Sequence, residues 1–219
     1  MKSRKFPQGK GEQELAGMKT DPRIRRTKAA IREAFVRLMQ KKEYDAITVT
    51  DVSEEAQINR KTFYAHYETK EQLFAQILGE MFYDLLSAFM YEKAVPDANL
   101  DIDVLSRDIE SFFSKIEAYR GELDTLIGGR TIEMAFEIAD DVIRSTLKKI
   151  HVLEGEEEGI IPAALYVSRI KNFFFTSIDW WLEQENRVPG EAAKIYCKLM
   201  RMSTVNMFRY QQMQSVTEK

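Results

Sequence analysis

The stretch between Thr48 and Phe74 carries many side chains that could contact nucleic acid: TVTDVSEEAQINRKTFYAHYETKEQLF. Its polar positions supply hydroxyl, amide, phenol and cationic groups, which can meet phosphate oxygens and base edges. Arg60 and Lys61 can donate to guanine O6 and N7, and the phenol of Tyr64 can donate to a phosphate oxygen. We interpret the stretch as a helix-turn-helix.

Capping residues mark the helices that must position these groups. Thr48 is placed to cap one helix. The side chain of Asp51 is placed to accept the backbone N–H of Thr48, which would complete a capping box. Asn59 caps a second helix, which we expect to run to about Tyr67. The segment Thr69–Gln72 is a further capping box that opens a longer helix.

Apolar residues within and after the motif predict how these helices pack. Val49, Val52 and Ala56 are expected to face inward, with Ile58 as a buried plug in the turn and Phe63 in the core. The helix after the motif has one broad apolar face, and we expect it to pack on both the motif and the rest of the chain. That face comprises Leu73, Phe74, Ile77, Leu78, Met81, Phe82, Leu85, Leu86 and Phe89.

A helix of about twenty residues is expected before the motif, with Asp21 and Pro22 suited to its cap and first position. Its apolar stripe is Thr27, Ile31, Ala34, Phe35 and Leu38, and basic residues crowd its first half. Residues 1–20 lack apolar periodicity and contain three Gly and one Pro, so we predict a disordered basic arm.

Composition limits the class of protein. With 219 residues and 44% hydrophobic content, the chain can form one sizeable core or two modest ones. Ten Gly and five Pro favour long helices over a turn-rich β protein, and a single Cys excludes an internal disulfide. We expect no signal peptide, no membrane span and a cytoplasmic location.

Charge is unevenly distributed along the chain. Residues 1–72 hold sixteen Lys/Arg and eleven Asp/Glu, whereas residues 73–219 hold sixteen Lys/Arg and twenty-four Asp/Glu. A basic head on an acidic body is typical of a nucleic-acid binder with a separate domain that does not bind nucleic acid. Ordinary surface variation would explain the charge alone equally well.

The remainder of the chain predicts helices and no strand. Helical patterns cover about 102–119, 122–128, 130–151, 163–186 and 190–214. The breaks between them are Gly121, Gly128-Gly129, the acidic loop Glu154–Gly159 with Pro162, and Pro189-Gly190. We predict an all-α fold: a three-helix DNA-binding domain over 21–75, joined by a long fourth helix to a helical effector-binding and dimerisation domain over 76–219.

The motif resembles the DNA-binding domain of TetR-family transcriptional regulators. The likeness lies in TFYAHYETKEQLF preceded by ITVTDVSEEAQINRK, and it covers about residues 21–75. FFFTSIDWWLEQENRVPGEAAKIYCKLM is similar to the final helix pair through which members of the family dimerise.

The resemblance implies a set of DNA-contacting positions. Thr48, Tyr64 and Lys70 would contact phosphates, with Thr50 near the groove and His66 near the backbone. Base edges would be reached from Asn59, Arg60, Lys61 and Thr62. The chain departs from the family at Gln57, where Gly is usual, so Gln57 must adopt a left-handed conformation or the turn must differ.

Other chemistry has weaker support. His66 and His151 lack ligand spacing, so no metal or cofactor is predicted. Cys197 lies on an apolar helix face, which favours a buried structural thiol. The pair Asp140-Asp141 and the run Glu156–Glu158 are best explained as solvated charge. No nucleophile–base pair or phosphate loop is visible, so we predict that the protein is not an enzyme.

The aromatic content of the body predicts a partner. Consecutive aromatics at 173–175 and 180–181 cannot all face one way, so their helix must bury more than one face. We expect helices 163–186 and 190–214 to form a four-helix dimer interface with a second copy. A monomer in sedimentation at micromolar concentration would contradict this.

The favoured function is a homodimeric regulator that binds double-stranded DNA at a near-palindromic operator. By the logic of the family, it would be a repressor released by a small-molecule effector of unknown identity. An activator, or a DNA-bound adaptor that recruits a protein partner, stays open. A regulator without an effector, its body filled with side chains, also stays open, and an all-helical enzyme is the rival from a different class.

Overall fold

The computed structural model of the protein describes residues 21–89, 102–149, 162–185 and 188–198, and every regular element in those ranges is a helix. The prediction of an all-α fold is confirmed. The proposed basic arm, His151 and the acidic run Glu156–Glu158 lie outside the described residues. Within them, no helix is both long enough and apolar enough to cross a membrane.

Three short or medium helices form the N-terminal part, which we call the head. They are α1 (Pro22–Met39), α2 (Val49–Glu55) and α3 (Arg60–Tyr64), with a 3₁₀ turn (Tyr44–Ala46) between the first two. Asp21 caps α1 as predicted, because its carboxylate accepts the backbone N–H of Arg23 at 2.8 Å. The buried side of α1 comprises Ile31, Ala34, Phe35 and Leu38.

The predicted caps of α2 and α3 are present. Thr48 Oγ1 accepts the N–H of Asp51 at 3.1 Å, and Asp51 Oδ2 accepts the N–H of Thr48 at 2.8 Å, which completes the capping box. Asn59 Oδ1 accepts the N–H of Thr62 at 2.7 Å. Both helices therefore begin where the sequence predicts.

The second helix of the motif is shorter than predicted, since α3 ends at Tyr64 and not near Tyr67. The N–H groups of His66 and Tyr67 both bond to the carbonyl of Phe63, each at 2.9 Å. This shared carbonyl closes the last turn of the helix, and the side chain of Tyr67 is buried in the core.

The fourth helix, α4 (Lys70–Phe89), is the common wall of head and body. Its cap differs in one bond from the expected capping box: Thr69 Oγ1 accepts from Gln72 N at 3.1 Å, but the Gln72 side chain accepts from Glu68 N at 2.6 Å. Except for Phe89, whose side chain lies outside the described set, every residue of the predicted apolar face is buried. A single hydrophobic core runs from α1 through α4 into the body. The boundary between the two domains near residue 75 stays a prediction.

The body contains α5 (Ile102–Ala118), α6 (Arg120–Leu126), a 3₁₀ turn (Gly129–Thr131), α7 (Ile132–Lys149), α8 (Ala163–Leu182) and α9 (189–198). α4 packs on α5 and α7, and α8 packs on α7 and α5. The predicted break at Gly121 is wrong: the chain turns at Tyr119, and Gly121 lies in the first turn of α6. The predicted end of the last helix, 199–214, lies outside the described residues.

α8 buries aromatic rings on more than one side, as predicted. Phe174 and Trp181 are buried in the core, and Phe174 makes an edge contact with Phe82 of α4 at 5.3 Å between ring centroids. Phe173 and Trp180 are partly buried on one flank against Tyr196 of α9, at 5.5 and 5.8 Å between ring centroids.

The turn between α2 and α3 carries local backbone strain at Gln57. Its φ is 55°, the left-handed region that costs a residue with a Cβ about 1 kcal/mol. Of the two alternatives that the sequence left open, the left-handed conformation is the one adopted.

Replacing Gln57 with Gly is expected to raise the free energy of unfolding by about 0.5–1 kcal/mol, because the left-handed strain disappears. Urea denaturation measures this difference. Gln57→Ala is the matched control and should leave stability close to that of the unaltered protein, since alanine keeps the Cβ. A glycine variant less stable than the alanine variant would contradict the strain.

Candidate nucleic-acid interface

α3 is held against the head by one aromatic anchor and presents its other side to solvent. Phe63 has no exposed surface, and its ring lies 5.7 Å from that of Tyr67 between centroids. The turn before α3 is fixed by the N–H of Ile58, which bonds to the carbonyl of Ser53 at 2.9 Å. Ile58 itself is only partly buried, so it is a weaker plug than predicted.

The candidate contact residues fall on three neighbouring segments of the head. The structure places them at the start of α2, along α3 and at the start of α4. The exposed ones are Thr48, Thr50, Asn59, Arg60, Lys61 and Tyr64, and the partly buried ones are Thr62, His66 and Lys70. Their contacts with DNA stay predictions.

Arg60 and Tyr64 support each other on the exposed side of α3. The guanidinium carbon of Arg60 lies 5.9 Å from the centre of the Tyr64 ring, a cation–π arrangement across one helical turn. Sequence reasoning missed this pair, although the spacing of four residues on a helix indicates it. The contact orients both side chains before any partner binds.

The side chains of Asn59 and Thr62 are hydrogen-bonded to each other. The side-chain oxygen of Asn59 accepts both the N–H of Thr62, at 2.7 Å, and its hydroxyl, at 2.9 Å. The Asn59 amide therefore has only its NH₂ group to offer an external partner, which disfavours the bidentate pairing of Asn with adenine. Its main task is to cap α3.

His66 is neutral at neutral pH. Burial lowers its pKa below the ordinary value, and the nearby positive charge of Lys28 lowers it further. Because the pKa is lower in the folded state, this histidine destabilises the fold as the pH falls below about 6.5, its ordinary value. At neutral pH it can offer a phosphate a hydrogen bond but not a charge.

Lys70 is bonded within the protein. Its ammonium donates to the carbonyl oxygens of Tyr44 and Ile47, both at 2.8 Å, and lies 4.5 Å from the centre of the Tyr44 ring. These contacts close the C-terminal end of the 3₁₀ turn and attach it to α4. A phosphate contact by the same ammonium would compete with these bonds.

Replacing Lys70 with Met is expected to lower the free energy of unfolding by about 2 kcal/mol, because partly buried carbonyls lose a charged donor. Urea denaturation checks this, with the exposed Lys41→Met as control, for which the change should stay within about 0.5 kcal/mol. Unchanged stability would contradict the internal role. If Lys70 also contacts phosphate, the variant's salt slope for duplex binding will be shallower by about one.

Ion pairs connect the head to the body through α6. Arg32 of α1 contacts Glu122 of α6 at 2.5 Å and Glu80 of α4 at 3.5 Å. At the start of α6, Arg120 donates to the carbonyls at the end of α8, including that of Leu182 at 3.0 Å. α6 therefore contacts both α1 of the head and the C-terminal end of α8. A single sequence gives no signal for pairs so far apart along the chain.

The other predicted sites have ordinary structural explanations. Cys197 is buried and unpaired. Burial raises the pKa of Asp140, but hydrogen bonds from Lys171 and Arg144 outweigh it, so the pKa lies below the ordinary value. Asp140 thus joins α7 to α8, since Lys171 is 2.8 Å away. In the described ranges, no cluster of three or more His, Cys, Asp or Glu could hold a metal ion.

A short anchored helix with an exposed donor face, on a small helical head joined to a helical body, defines a DNA-binding regulator of the helix-turn-helix class. Residues 31–77 match the family model described as "Bacterial regulatory proteins, tetR family". The chain is a TetR-family DNA-binding transcriptional regulator.

The named relatives are HTH-type transcriptional regulators. The HTH-type transcriptional repressor DhaR of Mycobacterium sp. (strain GP1) is 26% identical over 147 residues, which is 61% of this chain and 69% of that protein. The HTH-type dhaKLM operon transcriptional activator DhaS of Lactococcus lactis subsp. lactis (strain IL1403) is 36% identical over 61 residues, 28% of this chain and 33% of that protein. The match to DhaS therefore spans only a third of that relative.

Solved structures show the same fold. The fatty acid degradation regulator FadR of Bacillus halodurans superposes with a TM-score of 0.51 at 15% sequence identity, covering 83% of this chain and 96% of that chain. At this level of identity the likeness concerns the fold alone.

Proposed function

We propose that the protein is a transcriptional repressor that acts as a homodimer on a near-palindromic operator and is released by a small-molecule effector. The observation that best supports sequence-specific DNA binding is the exposed face of α3. There Arg60, Lys61 and Tyr64 project from a helix anchored by Phe63. The nine candidate residues of the head remain the proposed DNA contacts. The proposed site of action is the cytoplasm.

Repression is favoured over activation by the extent of similarity. The relative named a repressor matches along 69% of its length, so the likeness extends beyond the head, whereas the relative named an activator matches over 61 residues. A shared head supports DNA binding but does not set the direction of regulation. Activation, or recruitment of a protein partner on DNA, is therefore the second candidate.

Two heads are needed for such an operator. A dimer with heads about 34–36 Å apart would place both α3 helices in successive major grooves on one face of the duplex. We propose that helices 163–186 and 190–214 pair with their symmetry mates. The exposed surface of α8 and the aromatic contacts between α8 and α9 support this arrangement.

α6 offers a route from the body to the head. It is bonded to the end of α8 through Arg120 and to α1 through the pair of Glu122 with Arg32. An effector that shifts α6 relative to α8 would therefore also disturb α1. Such a shift would change the separation of the two heads and weaken binding to an operator of fixed spacing.

Selection of bound duplexes from a random pool tests DNA reading, because it reports half-site sequence and spacing together. A near-palindrome with half-sites one helical turn apart is the expected result. A reporter placed behind the selected site, measured with and without the protein, then gives the direction of regulation. Failure to enrich any duplex at physiological salt would overturn the proposal and revive the enzyme as the rival class.

A further inference from the structure

α8 has an exposed stripe along its whole length, which we call the outer stripe. Its members recur three or four residues apart, so they share one side of the helix. That side is opposite to the one formed by Val167, Phe174, Ile178 and Trp181, all of which are buried. The outer stripe consists of Leu165, Arg169, Asn172, Thr176, Asp179 and Glu183.

The charges of the outer stripe have no counterpart within the described chain. Lys171, on the inner side of α8, is paired with Asp140 at 2.8 Å. By contrast, no ion pair in the described ranges involves Arg169 or Asp179. These two lie ten residues apart, about 15 Å along the helix, so they are also too far apart to pair with each other.

The central part of the outer stripe, from Arg169 to Asp179, is complementary to a reversed copy of itself, whereas its two ends, Leu165 and Glu183, are not. Arg169 and Asp179 lie at equal distances on either side of position 174, and Asn172 and Thr176 do the same. A two-fold axis perpendicular to α8 at this level makes the two copies antiparallel. Arg169 then lies opposite the partner subunit's Asp179, and Asn172 opposite the partner subunit's Thr176. One such contact contains two ion pairs and two polar pairs.

The required crossing angle is that of a helical bundle. Each ion pair would lie about 7.5 Å from the crossing point, where two helices inclined by about 20° are offset sideways by only about 3 Å. An Arg side chain can follow that offset. At a crossing angle of about 50° the sideways offset is about 6 Å, which weakens the pair. The charge pattern therefore favours near-antiparallel packing.

We propose that the outer stripe is the contact of α8 with a second copy of this chain, in an antiparallel register centred on position 174 and fixed by Arg169 and the partner subunit's Asp179. The inference rests on the proposed homodimer and adds the register and the residues that select it. The same two pairs would disfavour a parallel arrangement, in which Arg169 meets another Arg169.

Charge reversal tests the register. Dimerisation of the full chain is measured by sedimentation equilibrium for Arg169→Asp, for Asp179→Arg and for the double variant. Each single variant places like charges opposite each other twice and should raise the dimer Kd by about tenfold or more. The double variant restores both pairs, so its Kd should return to within about threefold of the unaltered protein.

Mixing the two single variants gives a sharper readout. In a heterodimer of Arg169→Asp with Asp179→Arg both pairs are again of opposite charge, so differently tagged subunits should form heterodimers well above the statistical one half. Arg26→Asp and Glu54→Arg make the same charge changes on exposed positions of the head. These controls should neither weaken the homodimer nor favour the heterodimer.

The outcomes separate this inference from the proposed function. A dimeric protein whose Kd and subunit mixing are unaffected by the two reversals overturns the register and leaves the homodimer standing. An unaltered chain that is monomeric at micromolar concentration overturns both. Circular dichroism shows whether each variant is folded, and rescue in the mixed sample shows that a weakened single variant is not merely misfolded.

Discussion

Replacing Phe63 with Ala is expected to lower the free energy of unfolding by about 3–5 kcal/mol and to abolish specific duplex binding. Phe63 has no exposed surface, and its ring is in contact with Tyr67 and Tyr64, at 5.7 and 5.6 Å between centroids. α3 has only five residues, too few to be stable as an isolated helix, so its position depends on this side chain. A cavity beneath α3 would therefore remove the DNA-reading surface.

Urea unfolding and fluorescence anisotropy with a selected duplex measure the two effects of the alanine variant. Phe63→Leu is the matched control: it keeps most of the buried volume and should cost less than about 1.5 kcal/mol, with binding retained. Duplex binding by a folded Phe63→Ala variant with unchanged affinity and sequence preference would mean that α3 is not the reader.

Local signals account for what could be predicted of the head. The caps at Asp21, Thr48 and Asn59 depend on residues two or three positions away, and all three are present. The buried stripes of α1 and α4 follow from a period of 3.6 residues. For the turn, the sequence left two alternatives at Gln57, and the structure adopts the left-handed one.

Interactions between distant segments could not be predicted. The family resemblance implies a phosphate contact for Lys70, which stays a prediction, but nothing in the sequence indicates that its ammonium is bonded to carbonyls more than twenty positions earlier. Arg120 closes the end of α8 although 62 positions separate it from Leu182. No periodicity or spacing encodes such pairs, because they arise only when the helices have packed. The same holds for the link between Arg32 and Glu122.

Element ends were the other source of error. α3 ends at Tyr64, and the N–H groups of His66 and Tyr67 then share the carbonyl of Phe63, an arrangement that apolar periodicity does not report. The sequence predicts a break at Gly121, yet glycine is tolerated in a first helical turn, and the chain turns at Tyr119 instead. The candidate site was less affected, since its residues cluster within one continuous stretch of the chain.

Replacing Arg60 or Lys61 with Ala is expected to weaken binding to the selected duplex by about 5–150-fold, the range given by a lost base contact of about 1–3 kcal/mol. Binding to a scrambled duplex should fall much less, so the ratio of the two affinities should fall with it. Arg60 should show the larger change, because its contact with the Tyr64 ring holds the guanidinium in place before binding. Anisotropy titrations of both duplexes at one fixed salt concentration measure the ratio.

Tyr64→Phe is the contrasting variant, because it keeps the ring beneath Arg60 and removes only the phenol hydroxyl. If that hydroxyl contacts a phosphate, the selected and scrambled duplexes should weaken by the same factor, leaving the ratio unchanged. The assignment of roles therefore depends on the ratio of the two affinities: it should fall for the Arg60 and Lys61 variants and stay unchanged for Tyr64→Phe. Should Arg60→Ala and Lys61→Ala also leave the ratio unchanged, sequence must be read from elsewhere on the head, and Thr50 at the front of α2, which is exposed, becomes the next position to vary.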